Sequence, residues 1–332
     1  MYLIKQNARL YVSNVTTGWN ASNTIRMPLK SDISFSQVSR TETAQRLTLD
    51  PTERRNMSHF IQGAGAVALR FTSYITPTNT NPVNAAERYL LESLVGSTSG
   101  LTGTSTFLLA EFDEGNVPTV LPLTIWVEFD GYVFKFENCS VDSATIDFSL
   151  EGIAEITWNL SCLNLVPDAT DRPSFTDFSQ QLPCISNKLT VLELQRSGIN
   201  YNLALIGGSL TINNNNTYYS VSKIGQLTTI RGHYTGNREC SGALTFYLRT
   251  GTNRSADLFQ SILTDTMAGV AENNLAELHI NIGGTTGRRC RVSVPSTLLE
   301  IPNVGMQDVT EVSVPFKAQE TAGNEITLTY YN

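Results

Sequence analysis

The chain has 332 residues, of which 41 % are hydrophobic and only 16 % charged, with a formal net charge of −7. That length can bury more than one core, and the acidic balance excludes a protein that grips nucleic acid through an extended basic face. The densest basic clusters are Arg54-Arg55 and Arg288-Arg289 with Arg291, read as solvated surface. Five cysteines, Cys139, Cys162, Cys184, Cys240 and Cys290, show no CxxC spacing and read as reduced, mostly buried thiols of a cytosolic product. The first residues hold no apolar stretch long enough for a signal peptide, and no run approaches a membrane span.

In chain order, the first distinctive stretch is 39–58, dense in charge (Arg40, Glu42, Arg46, Asp50, Glu53, Arg54, Arg55) and without apolar periodicity. It reads as an arm with little core of its own, mobile in a free subunit. Gly65-Ala66-Val67-Ala68-Leu69 reads as a strand entry of small residues. A short helix is predicted over 85–95, with Tyr89, Leu90, Leu91 and Leu94 on one side. Residues 123–130 alternate apolar and polar, as do 145–151, which predicts half-buried strands. Asp130-Gly131 predicts a tight hairpin turn. Residues 166–188 contain Pro167, Pro173 and Pro183 among aspartates and read as a surface linker. Asn213 to Asn216 predicts a turn, since Asn tolerates positive φ. A second helix is predicted over 255–267, with Leu258, Phe259, Ile262 and Leu263 inward, Ser255 as N-cap and Asp257 in the first turn.

Comparison of the halves predicts an internal duplication. Residues 65–69 match 242–246, 90–95 match 258–263, 123–131 match 276–284, Phe134 and Phe136 match Val292 and Val294, and 153–158 match 309–314, all in the same order. The expected division is 1–165, a linker at 166–188, and 189–332. The fold class is mainly β: two tandem sandwich or barrel domains, each flanked by one short helix. Each half is expected to have its own core.

Chemistry-bearing constellations are sparse. His59, His233 and His279 are far apart and lack metal-ligand spacing. No Gly-x-Ser-x-Gly elbow and no phosphate-binding loop occur. Gly63-Ala64-Gly65 and Gly207-Gly208 read as bulges or turns. The carboxylate groups Glu111/Asp113/Glu114, Asp142/Asp147 and Glu151/Glu155 read as solvated strand ends rather than a glycosidase pair. No catalytic residue, cofactor or metal is assigned, and the chain reads as a structural protein, not an enzyme.

Residues 142–158, 232–248, 255–259 and 298–302 together resemble tail tube proteins of long-tailed phages. The resemblance implies a structural virion protein made in the host cytoplasm. Its subunits form rings whose inner sheets join into a β-barrel channel for DNA, and the rings stack through a long loop or hairpin arm. The implied partners are copies of the chain itself and other tail proteins, with no specific DNA binding and no membrane insertion. Two tube domains in one chain would fill a six-domain ring with three subunits. Glu128, Asp130, Asp147, Glu151, Glu155, Glu277 and Glu311 alternate with apolar rows and are candidates for an acidic lumen. A virion receptor- or carbohydrate-binding β-sandwich is the alternative reading, since Thr-, Asn- and Tyr-rich loops would suit it.

Overall fold

The computed structural model describes residues 8–30, 33–45, 57–78, 85–96, 105–108, 121–150, 152–167, 174–177, 184–220, 230–269, 275–305, 309–319 and 325–332. The chain is mainly β, as the alternation predicts. Its N-terminal part contains β1 (Arg9–Ser13), β2 (Thr24–Met27), β3 (Ser34–Gln45), β4 (Met57–Tyr74), α1 (Arg88–Val95), β5 (Ser105–Leu108), β6 (Leu123–Phe129), β7 (Tyr132–Ser149), β8 (Glu155–Val166) and the two-residue β9 (Thr176–Asp177). Its C-terminal part contains β10 (Val191–Arg196), β11 (Ile199–Tyr201), β12 (Leu205–Asn213), β13 (Thr217–Ser220), β14 (Ile230–Tyr234), β15 (Glu239–Tyr247), α2 (Ser255–Met267), β16 (Leu275–Ile282), β17 (Arg289–Leu299), β18 (Asn303–Gly305), β19 (Glu311–Ala318) and β20 (Thr327–Tyr331).

Local sequence accounts for the sharp features. Asp130 and Gly131 adopt φ of 48° and 88°, the double positive φ of a tight hairpin, and Phe129 faces Tyr132 across the turn. Asn215 has φ 48° in the turn that follows β12. The second helix runs over the predicted residues. The first begins at Arg88, three residues later than predicted, because Ala85 is held by a bridge to Pro77. Ser255 lies inside α2 instead of capping it: its buried hydroxyl donates to the Tyr247 carbonyl and accepts from the Arg249 amide.

Strand pairings recur in the two parts. In the first, β1 pairs with β2 and β6, β6 with β7, β7 with β8, β8 with β4, and β4 with β3. In the second, β10 pairs with β11 and β16, β16 with β17, β17 with β19, β19 with β15, and β15 with β12. All these pairings are antiparallel. A backbone bond from Ile75 N to Ala154 O, 2.9 Å, has its counterpart from Leu248 N to Thr310 O, also 2.9 Å. The residue matches read from the sequence agree with the pairing in the β6–β7 and β16–β17 hairpins. They slip in the flanking strands: Trp158 faces Phe71, while Val314, its sequence match, faces Leu244, which the sequence aligns with Val67.

The two parts meet along β7 and β12, where 143–149 of one strand pairs with 207–213 of the other. This junction corrects the expectation of two separate cores. Phe148 and Ile146 lie directly opposite Gly208 and Leu210, so the apolar face continues across it. The buried residues of both parts, Phe71, Leu90, Trp158, Leu244, Leu258 and Val314 among them, form one contiguous cluster. A Cβ at Gly208 would lie 2.7 Å from the Phe148 ring and 2.5 Å from the Ala243 carbonyl, so the strands can close only on a glycine.

Cysteine use also differs from expectation. Cys139 and Cys162 are direct cross-strand partners on β7 and β8 and are joined as a disulfide. Their separation of 23 residues carries no spacing signal, because the strand register alone brings them together. Cys240 and Cys290 are buried free thiols, and Cys184 is exposed.

Two buried polar groups lock the two ends of α1 to their surroundings. Asn214, fully buried, donates from Nδ2 to the carbonyls of Leu94 (2.8 Å) and Val141 (3.2 Å), and its Oδ1 accepts from Arg238 Nε (2.8 Å). It thereby ties the end of α1, β7 and the approach to β15. Glu87, just before α1, accepts from the Thr76 amide (3.2 Å) and hydroxyl (3.0 Å) and is 0 % exposed. Burial drives its carboxyl up to about 8 against the opposing pull of these hydrogen bonds.

Two predictions follow from these locks. Replacing Asn214 by Ala removes the hydrogen bonds it donates to the Leu94 and Val141 carbonyls and the one it accepts from Arg238, and is expected to cost about 1–3 kcal/mol in denaturant unfolding. For Glu87, the folded pKa is raised above the unfolded value of 4.5. The folded state therefore favours the protonated form, and this stabilisation is complete below pH 4.5 and disappears as pH rises through about 8. Unfolding measured from pH 5 to 8 should show Glu87→Gln gaining on the wild type as pH rises; a constant difference would contradict the assignment.

Candidate assembly and lumen surfaces

Seven strands, β3-β4-β8-β7-β12-β15-β19, form an unbroken antiparallel run through both parts of the chain. Period-two alternation sends one set of side chains to the core and the other to the opposite face. The opposite face carries Ala68, Arg70 and Thr72 on β4, Thr157, Asn159 and Ser161 on β8, Ser143, Thr145 and Asp147 on β7, Ser209 and Thr211 on β12, Ala243 and Thr245 on β15, and Ser313 on β19. Small hydroxyl and amide groups meet across the strands: Thr72 Oγ1 and Thr157 Oγ1 lie 3.1 Å apart, as do Thr145 Oγ1 and Thr211 Oγ1, and Asn159 Nδ2 donates to Ser143 Oγ at 3.0 Å. The last pair but one spans the junction between the two parts. Cross-strand Thr–Thr pairs stabilise a sheet and leave a smooth, weakly charged surface.

The candidate acids are distributed unevenly. Asp147 is exposed on this face, and Glu155 lies beside it, half-buried and paired with Lys30 Nζ at 2.7 Å. Asp147 is raised above the usual carboxylate range, first by desolvation and then by the neighbouring Glu155 charge. Glu311 starts β19 opposite Tyr247 on the same face. Glu128 departs from its expected solvent exposure. It is buried on β6 and accepts at 2.8 Å from the hydroxyl of Tyr11, which packs with Trp126 and Val133 in a small separate cluster. The alternation that should point it outward points it to the Tyr11 side of a strand that is buried on both faces. Asp130 sits in the hairpin turn, and Glu277 lies on β16 with His279 Nε2 at 2.9 Å, both away from the seven-strand run. Glu151 lies outside the described residues.

The charged stretch has more regular structure than its pattern suggests. Residues 39–45 continue β3, which pairs with β4 through to Gln45 opposite Met57. β8 pairs with β4 only from Val67 to Tyr74, so the β3–β4 hairpin runs on past it through the 57–66 portion of β4. At about 3.3 Å per residue this extension is about 30 Å long. Its inward backbone groups are paired in its own ladder, which needs no apolar periodicity and so leaves none to read. Arg40 pairs with Gly63 and Glu42 with Phe60 on this arm, while Arg46, Asp50, Glu53, Arg54 and Arg55 lie outside the described residues. At the equivalent place in the second part, beyond β12 and β15, β13 and β14 form a shorter hairpin.

Two edges of the run were not visible in the sequence. Among the described residues, β3 pairs only with β4, and β18 pairs only with β19. Exposed apolar side chains mark both: Val38 on β3 is 71 % exposed, and Ile301 and Val304 at β18 are 52 % and 41 % exposed. The signal available for them was an apolar residue at a polar position of a strand pattern.

A profile of the phage tail tube protein family matches residues 6–318. The chain is also similar to tail tube protein pb6 of Escherichia phage T5, with 27 % identity over 336 aligned positions covering 94 % of this chain and 72 % of that protein. A match across nearly the whole length, on a fold built almost entirely of strands, makes this chain a member of the phage tail tube protein family and a structural component of the virion tail.

Proposed function

We propose that three copies of the chain close into one ring, and that rings stack into a tube whose bore conducts DNA. The observation that carries this reading is the recurrence of one pairing scheme in both parts, with β7 and β12 joining them edge to edge. Each part is read as one tube domain, so a chain supplies two adjacent wedges and three chains give a ring of threefold symmetry with a sixfold appearance. A ring of this kind leaves neither end of the seven-strand run open, which removes the aggregation hazard of a long strand run.

The polar face of the seven-strand run is the candidate lining of the bore. Arg70 and the exposed Lys317 are widely separated on it, Glu155 is balanced by Lys30, and Asp147 and Glu311 add negative charge. Such a surface offers DNA few phosphate contacts and little counterion release, so DNA slides and is not held. The β3–β4 hairpin, which carries residues 39–45 of the charged stretch, is the candidate stacking arm between rings.

Concentrated protein examined by negative-stain microscopy should form hollow tubes, and native mass spectrometry of single rings should count three chains. Discrete solid particles would favour the receptor-binding alternative, and six chains per ring would sink the threefold assignment. Limited proteolysis of the same samples should cut within 39–58 in free subunits and much more slowly in tubes; equal rates would count against an arm that docks on stacking.

A further inference from the structure

The junction inside the chain can be carried over, strand by strand, from one part to the other. The register of the two parts makes the transfer residue-specific. Val127 faces Phe134 as Ile280 faces Val292, and Cys139 faces Cys162 as Thr297 faces Ala318. Continuing at the same spacing, Thr145 opposite Thr157 becomes Asn303 opposite Ser313. β18 is thus the counterpart of the end of β7. On the other side, Thr72 faces Thr157 as Thr245 faces Ser313, and Phe35 faces Leu69 as Leu210 faces Gly242. β3 is thus the counterpart of β12. Within the chain, the end of β7 pairs with β12, whereas β18 and β3, their counterparts, are the two edges described above.

Resting on the tube reading, we infer that β18 of one copy pairs antiparallel with β3 of the next, in the register of the β7–β12 junction. Ser143 opposite Asn213, Thr145 opposite Thr211, Ile146 opposite Leu210 and Asp147 opposite Ser209 translate into Ile301 opposite the next copy's Val38, Asn303 opposite its Ser36, Val304 opposite its Phe35, and Gly305 opposite its Ser34. Two independent observations meet in this register. The exposed apolar side chains of the two edges fall on one another: Ile301 meets Val38, and Val304 meets Phe35, which is itself only partly buried. The second observation is an open cleft of about 510 Å³ beside β18, lined by Thr266 at the end of α2 and by Leu298, Leu299, Ile301 and Pro315. Its counterpart in the first part, between the end of α1 and Val141, is filled by Asn214 just past β12. The next copy's β3 just past Val38 therefore enters this cleft.

The test is a disulfide trap in assembled full-length protein. Ser36→Cys with Asn303→Cys, in a Cys184→Ser background, places two thiols where Thr145 and Thr211 touch in the template. Mild oxidation should link up to three chains covalently, as seen on a denaturing gel, and either cysteine alone should leave single chains. The shifted pair Ser34→Cys with Asn303→Cys should link about tenfold less, since two residues of slip carry the Cβ atoms beyond disulfide reach. Rings visible by microscopy without cross-links, or equal linking by the shifted pair, would overturn the edge pairing alone. A wild-type chain that forms no rings would overturn the tube reading and the pairing with it. If the double variant fails to fold, Ile301→Asp at an exposed position supplies the test: it should leave folded single chains, and unimpaired rings would overturn the pairing.

Discussion

The antiparallel pairing of β7 with β12 is the contact on which the rest of the molecule depends. A strand that ends a sheet presents unpaired amides and carbonyls and recruits other strands. By pairing β7 of one part with β12 of the other, the chain satisfies both of these edges at once. Its consequences reach beyond hydrogen bonding. The apolar faces of the two parts become one surface, so a single core forms where two were expected. Gly208 is needed to let Phe148 and the Ala243 backbone approach. Asn214, fully buried at the seam, then holds α1 against β7 with side-chain hydrogen bonds that no apolar residue could supply.

The opposite face of the same strands has different chemistry. Where the core face is large and apolar, the other is covered by Ser, Thr and Asn that satisfy one another across strands, with few charges. This explains how a chain with only 16 % charged residues keeps a long sheet in water. It also shows why a simple count of acids misjudges the surface: Asp147 and Glu155 lie on it, but Glu155 is engaged by Lys30, and Glu128 is buried elsewhere under Tyr11.

Much of the fold was legible because it rests on local periodicity. The alternation of 123–129, the Asp130-Gly131 turn and the apolar stripe of 255–267 each specify an element by short-range sterics, and each is where the pattern placed it. What the sequence concealed depends on register between distant strands. Cys139 and Cys162 become neighbours only through the β7–β8 ladder. Ser255 is diverted from capping by Tyr247 and Arg249, which the strand before it delivers. Glu128 alternates correctly but belongs to a strand covered on both faces, so polarity there marks a buried hydrogen bond and not solvent. Residues 39–45 have no apolar rhythm, and their strand is read instead from its backbone ladder with β4.

The central claim is that one strand junction, used once within the chain, is used again between chains. A reconstruction of the assembled tube, at a resolution that separates strands about 4.8 Å apart, tests it most directly. The account predicts six near-equivalent junctions around each ring, three within chains at β7–β12 and three between chains at β18–β3, joined into one closed barrel with the Thr- and Ser-rich face inward. A barrel built from the N-terminal part of six chains, with the C-terminal part decorating the outside, would contradict it.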